Sequence, residues 1–475
     1  MLALRQRRSI GRTWSTFQTP MFTRHLVAFL ALATVSTAYG QPAALLAPSD
    51  PSAPPAEYSQ TQSQTQAPPP TPSSDGPALP LDEALGIAAE NNPLLRGARA
   101  DADASSGTFM QAGARPNPQI SLLQEGFGGT ERTSTALLNQ TVELGGKRQA
   151  RLDVASYGRE VALASLDARG AALRSDVIAA FYGLLAAQRQ LRVAQESAGI
   201  ATRSAELAEK RARAGKVSPV EATKARVAAT GVQIEQANAA ARLTIAAEKL
   251  ANVTGSPLVR GRPVSGDIES VPAIGSLTQL LPRLSDAPLA RAAKAETRRA
   301  NAAISVERAK RIPDLTFSVG MKRVVTGGVP GNQAVVGVSI PLPLFDTNKG
   351  ALFESVHKAE KASADFDNET ARLQLELTQA YANYERSNLE ARRLKTDVLP
   401  AAREALDAMS RGYELGKFGF LDVLDAQRTL FQGQSQYVQA LTDAHLAYAD
   451  IGRLVGVPLV DVSSRNSAAP TPRLP

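Results

Sequence analysis

Short runs in which apolar and polar positions alternate interrupt a chain otherwise written in helical periodicity. In residues 315–321, Leu315, Phe317, Val319 and Met321 alternate with Thr316, Ser318 and Gly320. In residues 336–342, Val336, Val338, Ile340 and Leu342 alternate with Gly337, Ser339 and Pro341. A period of two predicts strands with one apolar face and one small or polar face. Residues 119–125 and 133–144 are predicted as two further strands. The Gly-rich links Gly126-Phe127-Gly128-Gly129 and Thr326-Gly327-Gly328-Val329-Pro330-Gly331 then read as hairpin loops. Residues 81–114 are predicted helical. No proline occurs between Pro118 and Pro219, which leaves residues 147–213 free to form one helix roughly 100 Å long. A second long helix is predicted from about residue 350 to 413. Pro400 falls opposite Gly199 in the repeat described below, so a kink or change of helix pairing is expected at that level in both copies.

The chain aligns with itself. At an offset of 201, residues 208–258 match 409–459 without a gap: Gly215-Lys216 falls on Gly416-Lys417, Gln233 on Gln434, and Gly255, Pro257 and Leu258 on Gly456, Pro458 and Leu459. Further upstream the offset is 195, where Asn92-Pro93-Leu94 meets Ala287-Pro288-Leu289 and Pro118 meets Pro313. The body is therefore a duplicated helix-strand-strand-helix-helix unit, with copies at residues 80–270 and 271–460. The class is mainly α with a small β part.

Alternation more commonly means a soluble sheet with a core under one face; beside such long helices, in an exported chain, the favoured expectation is instead a transmembrane sheet with lipid on one face and a wet lumen on the other. Export is read from Arg24 and His25 before the apolar run Leu26 to Val35 and the small residues Ala38-Tyr39-Gly40, so residues 1–40 form a predicted signal peptide. Met21 is an alternative start. Residues 41–79, rich in Pro, Gln, Ser, Ala and Thr, are predicted to be an extended linker, and residues 461–475 a disordered tail. No later stretch reaches the 18 or so uninterrupted apolar residues of a spanning helix, so a membrane crossing has to use strands. Four strands cannot close a barrel, and open edges in lipid leave backbone groups unsatisfied. A trimer would supply a 12-stranded β-barrel on a long α-helical barrel.

Composition narrows the chemistry. Of the 475 residues, 43% are hydrophobic and only 5% aromatic, which suits helices packed through small side chains. There is no cysteine, so no disulfide, thiolate metal site or lipid-modified N-terminal Cys is expected. The formal charge of +8 is spread among alternating acidic and basic helix positions and the basic leader, and no nucleic-acid partner is predicted. Glu354 and His357 have the spacing of a di-iron ligand pair, but the second such pair that the site needs is missing. The Gly-Lys pairs at 215 and 416 lack the earlier glycine of a phosphate loop. No nucleophile, acid-base pair or cofactor loop emerges, so neither an enzyme nor a cofactor is predicted.

Three local motifs carry a family resemblance. They are Glu143-Leu144-Gly145-Gly146-Lys147-Arg148, then Ile340-Pro341-Leu342-Pro343-Leu344-Phe345 with Asn348-Lys349-Gly350, and Leu421-Asp422-Val423-Leu424-Asp425-Ala426. With the duplicated body, residues 80–460 resemble the TolC family of outer-membrane efflux ducts. The first two motifs look most like its cobalt-zinc-cadmium branch. The resemblance implies a homotrimer in outer-membrane lipid that extends into the periplasm. It also implies a periplasmic membrane-fusion adaptor and an inner-membrane resistance-nodulation-division pump as partners, with passive conduction of divalent metal cations. It places a periplasmic gate at Asp422 and Asp425, with Tyr413 and Lys417 nearby, although Phe418 stands where the family's basic residue is expected. The two helix turns, Gly215, Lys216, Val217, Ser218 and Gly416, Lys417, Phe418, Gly419, would be the adaptor contacts. Other cargo, namely drugs, solvents or a secreted polypeptide, is the alternative within that reading. A periplasmic coiled-coil adaptor is a more distant alternative, disfavoured because this chain repeats both its strand pair and its helical hairpin.

Overall fold

A computed structural model describes residues 77–129 and 131–457. The predicted signal peptide, nearly all of the linker and the tail lie outside the described residues. The linker ends earlier than expected. Leu79 is fully buried and bridges Val264, with Leu79 N–H donating to Pro263 O (2.9 Å) and Ser265 N–H to Leu79 O (3.0 Å).

The first copy contains α1 (Leu81–Asn91), α2 (Pro93–Ala112), β1 (Gln119–Glu125), β2 (Glu131–Val142), α3 (Lys147–Arg213) and α4 (Pro219–Thr254). The second contains the short α5 (Leu277–Leu280), α6 (Pro288–Lys310), β3 (Leu315–Thr326), β4 (Val329–Ser339), α7 (Lys349–Arg393), a π-helical turn (Leu394–Val398), α8 (Leu399–Glu414) and α9 (Phe420–Leu454). The single helix expected over 81–114 is two helices. Asn92 leaves helical geometry, accepts a hydrogen bond from Leu95 N–H (3.1 Å) and is followed by Pro93 at the first helical position, so one helix ends and another is capped.

The same joint is built twice. Gly255 (φ +67°) and Gly456 (φ +77°), 201 residues apart, close α4 and α9 in left-handed geometry. A side chain on Gly255 would lie 2.7 Å from Asn91 O, and one on Gly456 2.5 Å from the Pro288 ring. Each copy thus docks the end of its last helix on the Asn92-Pro93 or Ala287-Pro288 corner, and only glycine fits there.

The 67-residue α3 runs past Gly199 without interruption. The kink expected in both copies occurs only in the second. Pro400 has no N–H to give to the preceding turn, and Leu399 N–H instead donates to Leu394 O, five residues back. Residues 349–414 are therefore two helices joined by a π turn, where one helix was expected. α3 contains an 18-residue window of mean hydropathy 1.3, 61% of it buried inside the protein. Its apolar character is explained by packing. Phe181, Leu184 and Val177 meet Leu85 of α1, Leu250 of α4 and Leu441 of α9 in the largest core cluster. Towards the far end of the helices the core changes to alanine, with Ala201, Ala205, Ala208, Ala225 and Ala229 beside Leu406, Phe420 and Leu430. Small side chains let helix axes approach closely there.

The four strands form one antiparallel sheet in the order β1-β2-β3-β4. β2 starts two residues earlier than expected. β4 covers 329–339 where 336–342 was predicted: the loop contracts to Gly327-Gly328 (φ +59° and +85°), and the prolines at 341 and 343 have no N–H with which to continue the strand. The expected division of faces holds. Ile120, Leu138, Val319 and Val336 share one transverse row, and Leu122, Ala136, Met321 and Ala334 the next row on the same face. On the other face Asn139 donates to Ser121 Oγ (2.6 Å) and accepts from Ser318 Oγ (2.7 Å), a polar chain across three strands. β1 and β4 are open edges within this chain.

The Glu143 to Arg148 motif fastens the sheet to α3. Asp314, just before β3, accepts from Leu144 N–H (3.1 Å) and from Lys147 Nζ (2.7 Å), while the Arg151 guanidinium forks onto Glu143. That charge-assisted contact raises the Arg151 pKa.

Candidate functional site

The two helix turns distant from the sheet use the same chemistry. α3 ends through Gly215 (φ +69°), with Lys216 N–H donating to Arg211 O (2.9 Å). α8 ends through Gly416 (φ +75°), with Lys417 N–H donating to Gly412 O (2.8 Å). Both are left-handed glycine caps that satisfy the last carbonyls of a helix. The chain then re-enters a helix at Ser218, which accepts from Val220 N–H (3.3 Å), and at Gly419, whose N–H donates to Asp422 Oδ2 (2.9 Å).

Asp422 therefore has a local duty. Its carboxylate satisfies a free N–H at the start of α9, where negative charge also meets the positive end of the helix dipole. Asp425, one turn on, accepts a hydrogen bond from Thr429 Oγ1 through its backbone carbonyl (3.0 Å), leaving its carboxylate outside that contact. Both aspartates are exposed, and together they border a shallow groove whose other wall is Ala402, Ala405 and Met409 of α8. The three-residue spacing does place the two carboxylates side by side.

Tyr413 is the buried member of the site, 4% exposed. Its hydroxyl donates to Glu221 Oε1 (3.2 Å) in the first turn of α4, and its ring packs edge-on against Phe420. The Arg211 guanidinium lies 4.6 Å from the ring centroid and donates to the Tyr413 carbonyl. Burial, then the negative charge and hydrogen bond of Glu221, push the Tyr413 phenol pKa up, so it stays a neutral donor. One cluster thus joins the hairpin α3–α4 to the hairpin α8–α9.

Sequence reasoning singled out Tyr413 but missed Arg211, the basic residue that lies against its ring, where one had been sought at Phe418. In the repeat Arg211 corresponds to Gly412, and that glycine is the signal. A side chain at 412 would lie 2.1 Å from the Phe418 ring, so Phe418 occupies in one copy the space that a side chain fills in the other. Lys417 is exposed at the turn and is not brought to Tyr413. Val217, Lys216 and Ser218 cover the other turn. Of the pair with di-iron spacing, Glu354 pairs with Lys358 (2.6 Å), and His357 Nδ1 lies 2.7 Å from Glu360.

Comparison with known proteins agrees with this architecture. Residues 84–256 and 283–457 each match the family described as outer membrane efflux protein. The chain is 38% identical over 378 residues to the cobalt-zinc-cadmium resistance protein CzcC of Cupriavidus metallidurans, covering 80% of this chain and 90% of that protein. It is 26% identical over 303 residues to the nickel-cobalt-cadmium resistance protein NccC of Alcaligenes xylosoxydans xylosoxydans, covering 62% and 66%. Among solved structures, the outer-membrane channel OprN superposes with a TM-score of 0.70 at 20% identity over 80% of this chain and 90% of that one, a likeness of fold. Members of this family are outer-membrane channels that extend into the periplasm, and they are not enzymes. With both halves of its duplicated body matched, this chain belongs to the outer membrane efflux protein family.

Proposed function

We propose that the protein is the outer-membrane duct of a tripartite pump for divalent heavy-metal cations. The observation that carries the cargo is the 38% identity, over 80% of this chain, to a protein named for cobalt, zinc and cadmium resistance. Three copies would pair the open edges of β1 and β4 into a barrel of twelve strands, with the two repeats, residues 80–270 and 271–460, alternating around it. The lumen would be bordered by the face that carries Ser121, Asn139 and Ser318. An inner-membrane pump of the resistance-nodulation-division class would supply the energy. A periplasmic adaptor would engage the turns 215–218 and 416–419, where exposed Leu415, Phe418 and Leu421 offer apolar contacts.

The gate lies beside those turns. Threefold symmetry would gather Asp422 and Asp425 of each copy into a ring of carboxylates that concentrates cations. Tyr413, held by Glu221 and Arg211, ties the two hairpins of a copy together in the closed state, and Lys417 stands at the rim where an adaptor can displace it. Deleting the gene is expected to sensitise cells to cobalt, zinc, cadmium or nickel more than to hydrophobic drugs. Growth inhibition dominated by drugs or solvents would remove the metal assignment while leaving the channel reading intact.

A further inference from the structure

Near the hairpin loops both arginines of the sheet lie on one face, and both carboxylates lie on the other, together with Lys322. The strand register puts Gln124, Ser134, Arg323 and Asn332 in one transverse row, on the same face as Leu122, Ala136, Met321 and Ala334 and two residues closer to the loops. One row further out, Arg132 pairs with Val325, on that face again and diagonal to Arg323. Diagonal neighbours are about 7–8 Å apart, close enough for two long side chains to converge on one ligand. The carboxylates lie in rows of the other parity: Glu125 pairs with Thr133 and Glu131 with Thr326. Both arginines are exposed, and neither forms an ion pair among the described residues.

This part of the face is indented. Leu122, Ala136 and Met321 floor a depression of about 380 Å³, and Gln124, Ser134 and Arg323 wall its end towards the loops. The floor continues the apolar band, and the polar end holds a guanidinium, which matches carboxylate or phosphate geometry in two hydrogen bonds. An apolar floor that ends in a cationic wall has the shape of an amphiphile lying along the strands, with its chain towards the middle of the band and its headgroup at the loops. A free phosphate has no use for the floor.

We propose that this rim is a lipid site: Arg323 and Arg132 bind a phosphate of an anionic lipid headgroup in the leaflet nearest the hairpin loops, and Leu122, Ala136 and Met321 seat the adjoining acyl chain. The proposal rests on the reading of the sheet as membrane-spanning. It assigns to this face a headgroup preference beyond general solvation by lipid.

The test reconstitutes the full-length protein in phosphatidylcholine nanodiscs containing either bisphosphorylated lipid A or its dephosphorylated form, and counts retained lipid by native mass spectrometry. The wild-type protein should retain the phosphorylated form preferentially. Arg132→Gln with Arg323→Gln should reduce that preference ~10-fold, the loss expected for a charged hydrogen bond of about 1.5 kcal/mol. Lys322→Gln, on the other face, should leave it unchanged. Equal retention of the two lipids by the wild-type protein would overturn the site without recourse to any variant. So would an unchanged preference in the double variant, or displacement of the lipid by equimolar inorganic phosphate. Failure of the wild-type protein to insert into bilayers would instead overturn the membrane reading itself.

Discussion

The Tyr413 hydroxyl donates to the Glu221 carboxylate across 3.2 Å, and Glu221 is the residue that the internal repeat pairs with Asp422. The same position in the two copies thus holds an acid with two different tasks. In α4 it fastens a tyrosine of the neighbouring hairpin, and in α9 it caps its own helix and faces outwards. The asymmetry gives the gate reading its most direct test.

Tyr413→Phe removes the donor and leaves the packing on Phe420 in place. The lost hydrogen bond is worth about 1–3 kcal/mol where a charged acceptor is left without it. Channels of this variant in planar bilayers should open more often or conduct more than the wild type. Glu221→Gln, which keeps an acceptor, should have a smaller effect. Identical conductance in all three would remove Tyr413 from the closing contacts.

Asp422→Asn with Asp425→Asn should lower cation selectivity, read as a shift of the reversal potential towards zero, and should weaken block by trivalent cations. Asparagine keeps the cap on Gly419 N–H, whereas Asp422→Ala also loses it, at a cost of about 1 kcal/mol. Selectivity lost in the alanine variant alone would assign Asp422 a structural task only.

Gly320 faces Leu137 across β2 and β3, and a Cβ there would lie 1.9 Å from Ala136 O. Backbone cannot retreat as a side-chain tip can, so Gly320→Ala forces the two strands apart. The heat-modifiable form on gels should fall sharply for this variant. Gly337→Ala, whose added atom would meet only the Ser318 side chain at 3.7 Å, should assemble normally.

His445 is fully buried on α9, stacked on Tyr182 at 3.6 Å, with Nε2 2.9 Å from Ile268 O. Burial pushes its pKa below the ordinary 6.5, and among the described residues Nδ1 has no hydrogen-bond acceptor for an added proton. The folded protein keeps this imidazole neutral while the unfolded chain protonates near pH 6.5. Its contribution is therefore complete above that pH and is lost as pH falls from 6.5 towards the depressed folded value. Thermal unfolding should show a midpoint that drops across this acid window. His445→Gln, which does not titrate, should flatten the drop.

Much of this molecule is written locally. Alternation at Leu315, Phe317, Val319 and Met321 specified β3 and its apolar face, because side chains on a strand alternate whatever lies around it. The lack of proline between Pro118 and Pro219 allowed α3, and the glycines at 215, 255, 416 and 456 marked its turns and joints through a backbone conformation that few other residues accept. The repeat and the family followed from such local marks.

Other features needed the packed helices. Arg211 and Tyr413 are 202 residues apart, and no local period says that α3 and α8 set them face to face. Pro400 and Gly199 looked equivalent, yet α3 continues through its glycine, which keeps its N–H, while the proline cannot supply one and shifts the ladder into a π turn. Leu79, in a stretch whose composition reads as linker, is buried because the segment around Val264 passes beside it. Sequence by itself determined what each segment is and which of its faces is apolar, since those depend on neighbours along the chain. The tertiary structure decided which faces meet, since that depends on side-chain volumes and helix lengths summed over elements hundreds of residues apart.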